Sequence, residues 1–336
     1  MLRFVLSRYT MKPALSPMQI LLALLFALSS VIARGDTSQI EVWLSRMQTA
    51  AIEQNYRGTI VISRGNMSSS LRVVHRFADG VETERLTQLD GAMGEIIRHG
   101  NNVMCVFPDN RVVQLEKNKF ANPVVKAFAD FMPDSRYYEL ALLKEQRLVN
   151  RATVNLRVAA RDQHRYTYDL WLDKPTGLLL QSSLLDANGK ELERFRFTQI
   201  EFPDVINDEE LEPMHGGKIV AHEFIPPVPV DQRWPDNVMW QVNYVPPGFD
   251  AVSAALKPGD NVMAYSDGLA SFSIFVERVA ADMMPEGASM VGATVAYADK
   301  FESDGHHYAV TVVGQIPAMT AMMVAESVRP KMMEKQ

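Results

Sequence analysis

The chain has 336 residues, 47% of them hydrophobic, a formal charge of −6 and a single cysteine. That length allows about two domains, and the apolar fraction excludes wholesale disorder. The mild acidity argues against a nucleic-acid binder, which needs a basic face, and one cysteine excludes an internal disulfide framework.

The first stretch reads as a leader. Arg3, Arg8 and Lys12 precede the apolar run "MQILLALLFALSSVIA", Met18 to Ala33, with Val31 and Ala33 at the −3 and −1 positions before Arg34. A basic start, a short apolar segment and a small-residue end predict a secretory signal over residues 1–33. The alternative is an uncleaved anchor, but the run is shorter than the ~18–20 residues of a spanning helix. Its removal leaves 31 cations against 40 anions.

Val42 to Asn55, "VWLSRMQTAAIEQN", has apolar residues at helical spacing and predicts a short amphipathic helix. From Tyr56 the period changes to two. "YRGTIVIS", "SSLRVVHRF", "VETERLTQL", "GEIIRHG", "NNVMCVF" and "RVVQLEK" are strand-length pieces separated by turn formers. Cys105 sits in the fifth and is expected to pack as a small hydrophobe. A helix is expected over 122–131, "NPVVKAFADF". Strands resume with "YYELALLKEQRLVN", "ATVNLRVAAR", "RYTYDLWLD", "GLLLQSSLLD" and "KELERFRFTQIEF"; Asn188-Gly189 between the last two signals a hairpin. The same stretch lacks the acidic spacing of a calcium loop.

Seven prolines and glycines between Pro213 and Pro235 interrupt the pattern and predict a semi-rigid linker. A second β-rich unit follows, with "NVMWQVNYVPPGF", "AYSDGLASFSIFVERV" and "ATVAYADKFESDGHHYAVTVVGQIP", closed by a helix from Ala318 to Val328. The divisions expected are a leader at 1–33, a first domain at 36–212, a linker at 213–232 and a second domain at 233–329.

The chain offers little catalytic chemistry. It has no G-x-S-x-G elbow, P-loop or G-x-G-x-x-G. His306 and His307 are adjacent in a strand and point to opposite faces; His215 and His222 lack ligand partners at metal spacing. Ser266-Asp267-Gly268 has no neighbouring His or Lys to activate the serine. It reads as a tight turn launching a strand whose Phe272, Ile274 and Val276 face inward. No catalytic residue, metal or cofactor is expected.

"AYSDGLASFSIFVERV", "WQVNYVPPGF" and "GATVAYADKFESDGHHYAVTVVGQIPAMTAMMVAESV" closely resemble the C-terminal domain of the RseB/MucB family. "NYRGTIVISRG" and "YDLWLDKPTGLLLQSSLLDANGKELERFRFTQIEF" resemble its N-terminal domain. The resemblance spans about residues 40–329. It implies an α+β, mostly antiparallel fold: a LolA/LolB-like open half-barrel with helices on its concave side, then a smaller β domain with one helix. It further implies a periplasmic, non-catalytic regulator of sigma-E-type envelope-stress signalling. Such a regulator binds the periplasmic domain of a membrane-bound anti-sigma factor, shields it from proteolysis and senses lipid or lipopolysaccharide through an apolar cavity. Homo-oligomer formation is left open. The competing reading is a periplasmic lipid or lipoprotein carrier.

Two sets of side chains carry the site expectations. Tyr168, Leu170 and Leu172 share one strand face, and Phe195 and Phe197 another; either set lines a lipid cavity or forms ordinary core. Residues 36–212 hold sixteen Arg among 22 cations. Arg157, Arg161 and Arg165, spaced by four, are expected on one face of an extended strand, as are Arg194 and Arg196. They contact an acidic partner or phosphate, or pair across strands with neighbours such as Glu191 and Glu193.

Overall fold

The computed structural model describes residues 38–92, 94–109, 111–115, 133–214, 218–220, 238–252, 262–280, 286–303 and 305–332. The expected leader, the expected helix at 122–131, His215, His222 and most of the expected linker lie outside these residues.

A first helix, α1, runs over 38–53. Ile40, Trp43, Leu44, Met47, Ala50 and Ala51 recur every three or four positions and are all buried, the stripe that docks a helix on a sheet. Strands β1 (Tyr56–Arg64), β2 (Met67–Ala78), β3 (Val81–Gln88), β4 (Glu95–His99), β5 (Asn102–Val106) and β6 (Arg111–Leu115) follow. Then come β7 (Tyr138–Leu148), β8 (Arg151–Ala160), β9 (Thr167–Asp173), β10 (Leu179–Leu185) and β11 (Glu191–Glu201). With β12 (Lys218–Val220) they form one open sheet in the order β12-β6-β5-β4-β3-β2-β1-β11-β10-β9-β8-β7. Its pairings are antiparallel except β12 on β6, which is parallel. Three residues of the expected linker therefore extend the first sheet.

Alternation gives this sheet a dry, apolar face and a polar one. On β8 and β9, Val154 pairs with Leu172, Leu156 with Leu170 and Val158 with Tyr168, and all six are buried. They pack against Ile40, Leu44 and Met47 of α1. Burying each such leucine contributes about 1.5–3 kcal/mol. The intervening positions carry Thr153, Asn155, Arg157, Asp169, Trp171 and Asp173 on the opposite face. Further along the dry face, Phe195 and Phe197 meet Ala50, Ala51 and Tyr56. Cys105, half-buried on β5, lies between Ile96 and Val113, and burial raises its thiol above the ordinary value.

The hairpin at Asn188-Gly189 forms, though not as a two-residue primed turn. Asp186 accepts from Gly189 N at 3.0 Å, and Gly189 alone takes positive φ, at 79°. This is a type I turn followed by a left-handed glycine.

The second unit is a sheet ordered β14 (Asp250–Ala251), β15 (Val262–Ser266), β16 (Ser271–Val279), β19 (His306–Gly314), β18 (Thr294–Ser303) and β17 (Gly287–Val291). Helix α2 (Ala318–Ala325) covers one face, beside a ribbon of β13 (Val238–Val242) and β20 (Val328–Met332). Phe272, Ile274 and Val276 are 0–2% exposed and sit in this core with Val310, Val312, Val324 and Trp240. The final helix is shorter than the sequence predicts. Ser327 donates to the Val324 carbonyl at 2.7 Å and closes the last turn. Val328, expected in the helix, instead opens β20 opposite Val242.

Candidate functional site

The two units meet at a buried polar junction centred on the turn at Asp267. Its residues are drawn from both sheets. Ser266 Oγ donates to the Ala270 carbonyl at 3.1 Å and accepts from Gly268 N at 3.0 Å. Asp267 Oδ1 accepts from Leu269 N and Ala270 N at 2.9 and 2.7 Å. Gly268, with φ of 94°, completes the turn. These local bonds consume one carboxylate oxygen and leave the other aimed at the first unit.

That oxygen, Oδ2, accepts from Arg165 Nε at 2.6 Å and from the Tyr138 hydroxyl at 2.8 Å. The Arg165 and Asp267 side chains are 0% and 3% exposed. Arg165 also donates to Asp162 from Nη1 and to the Pro247 carbonyl from Nη2, the latter at 2.5 Å. Its guanidinium lies between the rings of Tyr137 and Phe249, 4.5 and 4.6 Å from their centroids, a desolvated cation–π sandwich. Gly248 makes the approach possible: its φ is +84°, and a Cβ there would overlap the Tyr137 ring. Burial and the Asp267 charge push the Tyr138 hydroxyl far above its ordinary range.

Three further contacts flank this centre. His164 reaches Thr320 Oγ1 and the Tyr244 hydroxyl, both at 3.2 Å. Desolvation is the chief cause that lowers its ring below the ordinary histidine value, with Asp162 opposing and Arg165 assisting. The Tyr166 hydroxyl donates to the Ile316 carbonyl at 3.1 Å, and burial pushes it up to about 12. Glu193 accepts from Ala293 N at 3.1 Å and lies 3.6 Å from Arg64. Ala293 and Leu269, both from the second unit, join the hydrophobic cluster under α1. Apolar burial and saturated polar contacts thus couple the units.

The sequence-predicted residues distribute differently. Tyr168, Leu170 and Leu172 pack beneath the middle of α1, and Phe195 and Phe197 beneath its end; all five are 0–7% exposed. The Arg157, Arg161 and Arg165 series does not share one strand face, because β8 ends at Ala160. Arg157 forms a two-pronged pair with Asp169 at 2.7 Å on the polar face. Arg161 bonds the Tyr138 carbonyl at 3.3 Å and lies 3.6 Å from Glu139. Arg165 turns into the junction. Arg194 pairs with Glu191 at 2.8 Å, and Arg196 is exposed. Sequence reasoning missed the junction roles of Asp267, Tyr138, His164, Glu193 and Gly248. Asp267 carried only a turn signal, and its main partner lies 102 residues away.

Comparison with known proteins places this architecture. The sequence matches the MucB/RseB N-terminal domain over residues 39–215 and the MucB/RseB C-terminal domain over 235–329. The chain belongs to the MucB/RseB family. It is 33% identical over 320 residues to the sigma factor AlgU regulatory protein MucB of Pseudomonas aeruginosa, covering 92% of this chain and 97% of that one. It is 28% identical over 297 residues to the sigma-E factor regulatory protein RseB of Escherichia coli K12, covering 85% and 89%. The solved complex of P. aeruginosa MucA/MucB superposes with a TM-score of 0.68 at 32% identity, covering 87% of this chain and 98% of that one. MucB/RseB relatives are thus regulators of sigma factors, and both units of this chain take part in the match.

Proposed function

We propose that this chain is a periplasmic, non-catalytic regulator of a sigma-E-type factor. It binds the periplasmic part of a membrane-bound anti-sigma factor and shields that segment from proteolysis. The observation that carries this reading is the likeness, over 87% of the chain, to a relative solved with MucA. The buried junction supports it, because a partner-binding surface spanning two domains needs them held in a fixed relation to avoid an ordering cost on binding. The basic leader with its short apolar run supports export.

Lipid sensing belongs to the same proposal. The face formed by Tyr168, Leu170, Leu172, Phe195 and Phe197 is apolar, and α1 covers it. An acyl chain would enter by replacing the α1 side chains Ile40, Leu44 and Met47, exchanging one apolar contact for another. The arginines Arg157, Arg161, Arg194 and Arg196 remain candidates for acidic partner or phosphate contact at the surface.

The test is titration calorimetry of the mature chain with the periplasmic segment of the co-encoded anti-sigma factor, followed by protease challenge of that segment. Micromolar or tighter binding with slowed cleavage is expected. No binding, together with transfer of a lipoprotein between membranes, would establish a carrier instead. Leu170→Asp and Phe197→Asp, checked for fold by circular dichroism, separate a lipid site from ordinary core.

A further inference from the structure

We propose that the polar face of the first sheet carries a groove for an acidic peptide segment of another protein, and that residues 203–214 of this chain are its built-in occupant. The inference is independent of the sigma-regulator reading and rests on how that segment is held. The stretch "PDVINDEELEPM" has five carboxylates and no basic residue. It follows β11 and lies across β1 to β4 as a strap, on the face opposite α1. Val73 belongs to the core beneath the end of α1, whereas its neighbour Val74 packs with Ile206 and Leu211 of the strap. Val74, Ile206 and Leu211 are 2–5% exposed. Around them the sheet grips the strap by its backbone. Arg76 donates to the Ile206 carbonyl at 3.0 Å, Arg85 donates to the Glu210 carbonyl at 3.3 Å, and Glu95 accepts from Met214 N at 2.9 Å. Two acidic side chains complete the hold: Asp208 lies 2.7 Å from Arg76, and Glu210 lies 2.9 Å from Arg57.

These contacts have the form of peptide recognition. Backbone groups of the strap meet side chains of the sheet, and its own amides close one 3-10 turn at Asp208–Glu210. Guanidinium groups for carbonyls and carboxylates, a carboxylate for an amide and an apolar contact at Val74 would serve an equivalent segment in trans. On this face of the sheet Arg57, Arg72, Arg76 and Arg85 outnumber Glu95 and Glu201. Removing the strap therefore leaves an excess of positive charge that complements an acidic partner. The strap is also displaceable. Its three-residue apolar cluster is separate from the cores under α1, so it can open while the sheet stays folded. Arg85 and Glu95 keep one another when it leaves. Val205 and Met214 are 71% and 61% exposed, and a cleft of about 460 Å³ is bordered by Val74, Leu89 and Met214. The partner's chemistry follows from the strap: several carboxylates and two aliphatic residues at the spacing of Ile206 and Leu211. Tethering gives the strap a high effective concentration, so it holds the groove shut until it is loosened or out-competed.

The probe is an acetylated and amidated peptide of sequence PDVINDEELEPM, titrated by calorimetry into the mature chain and into an Ile206→Ala, Leu211→Ala variant. The variant should bind it at least about tenfold more tightly than the parent, because its own strap competes less. A peptide of reversed sequence should not bind, and adding Arg76→Ala to the variant should abolish binding. Hydrogen exchange should show β1 to β4 as protected in the variant as in the parent. If that protection is lost, Asp208→Asn with Glu210→Gln, at side chains 78% and 23% exposed, supplies the loosened chain instead. No binding at about 1 mM peptide, the scale of a short tether's effective concentration, by a loosened chain with an intact sheet would overturn the proposal. Equal binding of the reversed peptide would overturn it too, since the face would then be a nonspecific basic surface.

Discussion

Two arginine–aspartate pairs in this molecule share the same chemistry and differ in almost everything else. Arg157–Asp169 crosses adjacent strands on the polar face of the first sheet, with the Arg157 and Asp169 side chains 41% and 11% exposed. Arg165–Asp267 crosses between domains with Arg165 fully buried. Water reaches the Arg157 end of the first pair and can replace it there. At the second, both charges are withdrawn from water, so each depends on the other and on Asp162, Tyr138 and the Pro247 carbonyl. The contrast teaches that burial and shared ownership, rather than the pairing itself, decide which ion pair organises a protein.

Substitutions should expose this contrast in graded steps. Asp267→Ala leaves the Arg165 guanidinium buried without its carboxylate across the junction, and stability should fall by about 3–5 kcal/mol in urea denaturation. Replacing both members, Arg165→Met with Asp267→Leu, should recover part of that loss, since no charge stays fully buried without a partner and the Asp162 carboxylate left behind is 26% exposed. Gly248→Val demands a strained positive φ and overlaps Tyr137; it should cost about 1–3 kcal/mol in thermal melts.

The pH response is smaller. The junction holds His164 below its ordinary value, so the neutral ring is favoured when the domains are docked. The separated state binds the proton more readily. His164 thus contributes junction stability that is present above about pH 6.5, the ordinary histidine value, and is lost as pH falls below it. The protection of junction amides relative to their intrinsic exchange rates should fall as pH drops from 7.5 to 5.5, and His164→Gln should flatten that dependence. Arg157→Ala should cost less than Asp267→Ala in urea denaturation, because water can take the place of the 41% exposed guanidinium beside Asp169, whose side chain is 11% exposed.

The same contrast marks what was legible in the sequence. Strands in both sheets follow from period-two patterning, α1 from its 3.6-residue stripe, and the turn at Asp267-Gly268 from local residue chemistry. Phe272, Ile274 and Val276 read as inward-facing for the same reason, because a strand's faces are set by its own alternation. The junction was not legible. Arg157, Arg161 and Arg165 look alike when spacing is the only guide, and nothing local tells that β8 stops at Ala160 and sends Arg165 into a second domain. Asp267 reads as a turn former because its turn uses one oxygen, while the partners of the other are 102 and 129 residues away. Val328 was misplaced in the final helix because its partner Val242, on β13, is also distant in sequence.

The central claim is that the junction fixes the two domains as one partner-binding unit. Its most direct test is calorimetric titration of Asp267→Asn and Arg157→Ala with the periplasmic anti-sigma segment, beside the parent. Asp267→Asn keeps the shape of the turn but removes the charge that holds Arg165. The account predicts at least a tenfold loss of affinity for Asp267→Asn, with each domain's own fold retained by circular dichroism. It predicts no more than a twofold change for Arg157→Ala. Parental affinity in Asp267→Asn would contradict it.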